Sequence, residues 1–278
     1  MRMERNMKKT YKAIFIDIDG TLRNSKKEIT DRTIESIKKV TQKGILVVLC
    51  SGRPKEFTEN LSKKCFASKY IITSNGAIVQ DYKENKEIYI NQMDKKTCIE
   101  LYKLAEQYRV EFSINTTEKR VVNRKPKVLK EMNEEELKTD IETFVNSNII
   151  IQCVIADEDL EKVKVLRDKV MKMKNLEIIN QDRNLRDNIE TYGRKIFFDV
   201  ANVGVSKGNG IKNFCKNLNI DLKDTIAIGD EDNDISMFNV VGYKVAMENG
   251  SKELKKYADE ITETNDNDGV AVFLEKLV

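Results

Sequence analysis

The sequence predicts an α/β protein: a doubly wound parallel sheet interrupted by an inserted α+β domain. Three observations carry this expectation. Short runs that are apolar at every position, such as "ILVVLC" (Ile45–Cys50), alternate with helix-like segments, as expected where parallel strands are covered on both faces. That pattern stops after a polar turn near residue 83 and gives way to a long stretch without such runs. Apolar strand runs return from Ile196 onward. The chain has 278 residues, enough for two cores.

Taken in order, "AIFIDI" (Ala13–Ile18) reads as the first strand. Ile34, Ile37 and Val40 share one face of a helix expected over residues 31–43, and Gly44 stands just past its end. "ILVVLC" is the second strand, and Pro54 suits the first turn of a helix running to about Lys64. "YIIT" (Tyr70–Thr73) is a third strand, and "AIVQDYKENKEIYI" (Ala77–Ile90) a hairpin turning at residues 83–86. In the insert, Leu101, Leu104 and Tyr108 mark one helix and Leu160, Val163, Leu166 and Val170 another. "NIIIQCVIA" (Asn148–Ala156) and "LEIIN" (Leu176–Asn180) are its strands. "IFFDV" (Ile196–Val200), a helix over residues 207–218, "TIAIGD" (Thr225–Asp230), "YKVAM" (Tyr243–Met247) and a C-terminal helix complete the parallel-sheet domain. The expected division is therefore 1–83 with 193–278 for the main domain and 84–192 for the insert.

Composition narrows the chemistry. Apolar residues make up 40% and charged residues 34%, and the formal charge is only +3, so a dedicated nucleic-acid surface is not expected. No apolar run reaches the length of a membrane span. The five cysteines are scattered without a C-x-x-C pair, which predicts reduced thiols in a cytoplasmic protein rather than disulfides or a zinc site. Histidine is absent, so proton transfer must fall to Asp, Glu, Lys, Tyr or Cys. A bound metal would then be a hard cation held by oxygens, such as magnesium.

In an open α/β sheet, ligands bind beyond the carboxyl ends of the strands. The first strand ends in Asp17, Asp19, Gly20 and Thr21, the second in Ser51, Gly52 and Arg53. Ser206, Lys207 and Gly208 follow "IFFDV" within a few residues, and "GDEDND" supplies Asp230, Asp232, Asn233 and Asp234. Carboxylates gathered without a counter-charge repel, and a divalent cation relieves that. The Ser51 hydroxyl, backbone N–H groups beside Gly20 and Gly52, and the Lys207 ammonium are donors to an anion. Carboxylates, a hard cation and anion donors together describe a phosphoryl-transfer site.

These motifs resemble the haloacid dehalogenase (HAD) superfamily, and within it the Cof-type phosphatases with a large inserted cap of the C2 type. D-x-D-G-T is met by Asp17, Asp19, Gly20 and Thr21; the strand-end Ser or Thr by Ser51; the helix-start Lys by Lys207; and G-D-x-x-N-D by Gly229, Asp230, Asn233 and Asp234. "SNGA" (Ser74–Ala77), "AMENG" (Ala246–Gly250) and "NDNDGVA" around Asn267 resemble further Cof-type signatures. The resemblance implies Asp17 as nucleophile and Asp19 as general acid and base. It implies Mg²⁺ held by Asp17, the Asp19 carbonyl, Asp230 and Asp234, and phosphate held by Ser51, Gly52, Lys207 and Asn233. Asn75 and Gly76 would face a small phosphorylated metabolite such as a sugar phosphate, nucleotide or cofactor phosphate, with the insert covering the site.

Each of these residues has an ordinary reading too. Asp19-Gly20 alone is a turn, Ser51 an N-cap, Lys207 a solvated lysine and Asn75-Gly76 a turn pair. Their occurrence in order outweighs those readings. Glu231 and Asp232 fall outside the fixed motif positions and are expected on the surface, as is the lysine-rich N-terminal tail. Arg120, Arg124 and Arg194 stand near plausible insert edges, but no pattern selects one for substrate contact. Two other functions fit the same motifs: a phosphomutase or dedicated sugar-phosphate phosphatase, and a non-catalytic metabolite-binding protein that keeps the fold.

Overall fold

The computed structural model of the chain describes residues 10–124, 134–179 and 196–278. The N-terminal tail, part of the charged span that begins at Asn123, the expected 192/193 boundary and Arg194 lie outside those residues. In chain order the strands are β1 (Ala13–Ile16), β2 (Leu46–Cys50), β3 (Tyr70–Thr73), β4 (Ile78–Asp81), β5 (Lys86–Ile90), β6 (Glu111–Thr116), β7 (Arg120–Val122) and β8 (Glu134–Glu136). They continue with β9 (Ile150–Asp157), β10 (Leu176–Ile179), β11 (Ile196–Asn202), β12 (Thr225–Gly229), β13 (Tyr243–Ala246) and β14 (Glu260–Ile261). The principal helices are α1 (Asp31–Gln42), α2 (Lys55–Lys64), α3 (Lys95–Tyr108), α4 (Ile141–Ser147), α5 (Leu160–Val170) and α6 (Lys207–Leu218). Three short ones follow: α7 (Ile235–Phe238), α8 (Lys252–Lys255) and α9 (Gly269–Leu274).

The chain divides into two compact units: Met1–Ile90 with Ser206–Val278, and Asn91–Val205. The first is built on an eight-stranded sheet of order β14-β13-β12-β1-β2-β3-β4-β5. β14 through β3 are parallel, and β4 and β5 add an antiparallel hairpin at one edge. Its central strands are apolar throughout because both faces are covered. Ile14, Ile16, Val47, Leu49, Ile226 and Ile228 enter one core cluster. Ala13, Phe15, Val48, Cys50 and Ala227 enter the cluster on the other side. β1 lies between β2 and β12, so the chain leaves it in one direction and returns on the other side. This is the switch point where α/β sheets open a ligand crevice.

The second unit carries a six-stranded sheet of order β10-β11-β9-β6-β7-β8. Helices α3, α4 and α5 supply apolar stripes to its core: Leu101 and Ala105, Phe144 and Val145, and Val163, Leu166 and Val170. Here the structure departs from the sequence reading. "IFFDV" belongs to β11, which pairs antiparallel with β9 and β10 instead of joining the parallel sheet. Phe198 and Val200 are fully buried in the second unit's core. An apolar five-residue run looks the same in either sheet, so the pattern alone did not reveal the partner strands. The hairpin strand β5 conversely stays with the eight-stranded sheet, so the chain leaves the first unit after Ile90 and re-enters it at Ser206. Pro54 is the N-cap of α2 rather than a residue of its first turn.

Candidate active site

All the parallel strands of the first sheet end on one edge, and the chemistry-bearing residues follow directly. Asp17 comes immediately after β1, Ser51 after β2, the Ser74–Gly76 turn after β3 and Asp230 after β12. The Asp17 N–H donates to the carbonyl of Ile228 at 3.0 Å, extending the β1–β12 pairing into the site. Lys207 is the first residue of α6, fixed there because the Ser206 hydroxyl caps the helix by accepting the Asn209 N–H at 3.2 Å.

Asp17, Asp230 and Asp234 are buried, and each offers a carboxylate oxygen within 4.8 Å of the others. The Lys207 ammonium, 2% exposed, donates to Asp17 Oδ1 at 2.5 Å and Asp234 Oδ1 at 2.6 Å. A lysine that looks like one of many surface cations in the sequence is therefore the counter-charge of a buried acidic cluster. Burial alone would push its pKa down, but Asp17 and Asp234 outweigh that and hold it above the ordinary ammonium range. Burial raises the Asp17 carboxyl, Lys207 opposes the rise, and Asp234 adds to it. Asp230 is raised further, by burial and then by Asp17 and Asp234, with the Thr21 hydroxyl opposing.

One ammonium thus pairs with two of three clustered carboxylates. Crowding and burial disfavour the charged forms of Asp17 and Asp230. A bound cation would favour them, and the all-oxygen donor set suits a hard one. The residues therefore fit a magnesium ion. Their positions are held by local contacts. Thr21 Oγ1 donates to Asp230 Oδ1 at 2.7 Å, and Asp234 Oδ2 accepts the N–H groups of Asp230 and Glu231 at 3.0 and 3.1 Å. Gly20, with φ +88°, lies so close that a Cβ there would come within 2.2 Å of Asp230 Oδ2.

The phosphate and substrate candidates form a second group at the same strand edge. The Asn75 N–H donates to the Ser51 carbonyl at 3.0 Å, and the Ser74 N–H to the Arg53 carbonyl at 3.1 Å. A Cβ on Gly52 would come within 2.9 Å of Asn75 Oδ1, so these two loops are in contact. The Ser51 hydroxyl accepts the Arg53 N–H at 3.2 Å, a local turn; it does not cap α2, whose N-cap is Pro54. Asn75 adopts the left-handed conformation at φ 55°, and Gly76 at φ +91° packs against the Ser206 carbonyl at the start of α6. Asn75 Oδ1 and Asn233 Oδ1 are buried without a hydrogen-bond partner. Asp232 is exposed, as expected, and accepts from the Ser251 hydroxyl. Asn267 is also exposed and serves a turn, its N–H donating to Thr264. Arg120 donates to the Ser113 hydroxyl at 2.8 Å and Arg124 to Glu106 at 2.8 Å, both within the second unit.

Asp19 is held in a way the sequence did not announce. Arg53 grips both of its carboxylate oxygens, Nε to Oδ2 at 2.7 Å and Nη2 to Oδ1 at 3.1 Å. Arg23 reaches Oδ1 at 3.3 Å. Asn249 of the "AMENG" stretch donates to the Gly20 carbonyl at 2.8 Å and steadies the same loop. The only sequence signal was the place of Arg53, two residues past Ser51, and the spacing of four between Asp19 and Arg23.

Comparison with known proteins matches this arrangement. A family model for haloacid dehalogenase-like hydrolases fits residues 14–274. Phosphatase YwpJ of Bacillus subtilis is 27% identical over 96% of this chain and 100% of its own. The phosphoglycolate phosphatase of Archaeoglobus fulgidus is 28% identical over 96% of each chain. The crystal structure of a haloacid dehalogenase-like hydrolase from Bacteroides thetaiotaomicron superposes with a TM-score of 0.83 at 26% identity, covering 97% of this chain and 100% of that one. The family match, running from β1 to the C-terminal helix, together with these relatives and the acidic cluster at the β1 switch point, shows that the chain belongs to the haloacid dehalogenase-like hydrolases, the family of the Cof-type phosphatases that its motifs resemble.

Proposed function

We propose that this hydrolase is a magnesium-dependent phosphatase of small phosphorylated metabolites that works through an aspartyl-phosphate. The observation that carries the reading is the buried set of Asp17, Asp230 and Asp234 around Lys207 at the switch point of the sheet. It combines a nucleophile, a hard-cation ligand set and a fixed positive charge in one place. The names of relatives such as phosphoglycolate phosphatase support a small phosphate ester as substrate.

In the first half-reaction an Asp17 oxygen attacks phosphorus. An O–P bond to Asp17 forms, the ester P–O bond breaks, and Asp19 gives its proton to the leaving oxygen. In the second, Asp19 takes a proton from water as that water attacks phosphorus, which releases phosphate and frees Asp17. Lys207, Ser51 and the N–H groups around Gly52 hold the phosphoryl oxygens, with Asn233 assisting, and Asn75 and Gly76 contact the substrate. The Asp17, Asp230 and Asp234 carboxylates with the Asp19 carbonyl would hold magnesium, which when bound neutralises charge on the phosphoryl group.

A phosphate-release screen over sugar, nucleotide and cofactor phosphates tests the reading, run with magnesium and again after chelation. Release that disappears with chelator and returns with magnesium is expected. No release from any ester, full activity after exhaustive chelation, or an isomerised sugar phosphate without free phosphate would overturn it.

A further inference from the structure

Asp19 is the half-buried carboxylate of the site, and it is held by residues that none of the motif roles uses. Arg53 holds both of its oxygens at 2.7 and 3.1 Å, the fork geometry that fixes a carboxylate in direction as well as position. Arg23 adds a contact to Oδ1 at 3.3 Å and is itself anchored, its Nε donating to the Lys27 carbonyl at 2.9 Å. Both guanidinium groups lie against one ring: Phe57 of α2, with Arg23 at 5.4 Å and Arg53 at 5.2 Å from its centroid. Two loops thus reach one side chain, Arg23 from the loop after β1 that also carries Asp19 and Arg53 from the loop after β2, with Phe57 of α2 packed against both arginines.

We propose that Arg53, backed by Arg23 and steered by the Phe57 ring, is the positioning device that aims the Asp19 carboxyl at the scissile oxygen. The inference rests on Asp19 as the proton-transfer group of the phosphatase reading. A half-buried carboxyl without such partners would turn about its side-chain bonds. Proton transfer needs it within about 2.6–3.2 Å of one oxygen, and the arginine fork sets its direction before substrate arrives. Because the fork favours the ionised form, Asp19 gives its proton once one of its oxygens has left Arg53 for the leaving group. Arg53 therefore acts through Asp19 and not on the phosphoryl group.

Leaving-group dependence separates this role from a structural one. A nitrophenolate departs without a proton, whereas an alkoxide such as glycerol or a sugar needs one. The ratio kcat/KM reports steps up to the first irreversible one, here transfer to Asp17, so only the alkyl ester feels misplacement of Asp19 in that ratio. Arg53→Met is expected to lower kcat/KM for an alkyl phosphate on the order of 10²-fold, the usual size of a general-acid contribution, while changing that for p-nitrophenyl phosphate by less than about threefold. Arg53→Lys, which keeps the charge but loses the fork, should rescue only part of the loss. Phe57→Leu should show the same selectivity in weaker form.

The wild type and Asp19→Asn run alongside, with thermal unfolding of every variant. If the wild type is active and Asp19→Asn discriminates between the esters but Arg53→Met harms both equally or neither, the positioning role is overturned while the phosphatase reading stands. If the wild type releases no phosphate from either ester, the phosphatase reading falls first. Should Arg53→Met fail to fold, Arg53→Lys and Phe57→Leu carry the same comparison, and equal loss on both esters again overturns the role.

Discussion

The Lys207 ammonium and the Asp17 carboxylate lie 2.5 Å apart although 190 residues separate them in sequence. Both are almost fully buried, so each depends on the other for charge compensation. Lys207→Met leaves Asp17, Asp230 and Asp234 buried without that compensation. The metal-free variant is expected to unfold with roughly 3–5 kcal/mol less stability, the usual consequence of removing one partner of a buried pair. Urea unfolding in the presence of chelator measures it. An unchanged midpoint would show that the cluster does not depend on Lys207 for charge compensation.

Gly20 owes its place to backbone conformation and to lack of a side chain. Gly20→Ala puts a Cβ 2.2 Å from Asp230 Oδ2 at φ +88°. The left-handed conformation alone costs about 1–2 kcal/mol, and Asp230 must shift in addition. The expected outcome is a lower melting temperature together with weaker magnesium activation of turnover, because the displaced residue belongs to the candidate ligand set. A variant with wild-type melting and wild-type magnesium dependence would contradict the packing described.

The turn between β4 and β5 carries a pH signature. Asp81 accepts the N–H groups of Lys83 and Glu84 at 3.1 and 3.2 Å and pairs with Lys69 at 2.6 Å. Burial would raise its pKa, but these partners, led by Lys69, outweigh burial and lower it. A depressed folded-state value means that the unfolded chain binds the proton first. The contribution is therefore present above the unfolded carboxyl pKa, about 3.9, and is lost as pH falls from there through the lower folded value. Asp81→Asn should cost about 1 kcal/mol at pH 7, and the gap from wild type should close below about pH 4. Denaturant unfolding at several pH values checks this. A gap that does not change with pH would show that the charge of Asp81 contributes nothing.

What could be read in advance, and what could not, follows from where each signal resides. β1 and β2 were legible because strands covered on both faces must be apolar throughout, and because Asp17, Asp19 and Ser51 follow them at once. Lys207 was legible by its place before Gly208, but its burial between two carboxylates depends on how β12 and α6 meet in space. β11 was misassigned because "IFFDV" carries no mark of which strands flank it, and only the pairing with β9 and β10 decides. The grip of Arg53 on Asp19 was hidden for a similar reason. An arginine two residues past a strand end has many possible partners, and the choice is made by the ring of Phe57 and the turn of the Asp19 loop.

The central claim is that Asp17 attacks phosphorus. It is tested most directly by mixing enzyme with a substrate from the release screen, quenching in acid within one turnover, and mapping the phosphoryl group by peptide mass spectrometry. The account predicts a phosphoryl group on the peptide that bears Asp17, absent from an Asp17→Asn variant that melts like wild type and releases no phosphate. Phosphate release without any such peptide, a label on another residue, or substantial turnover by Asp17→Asn would contradict it.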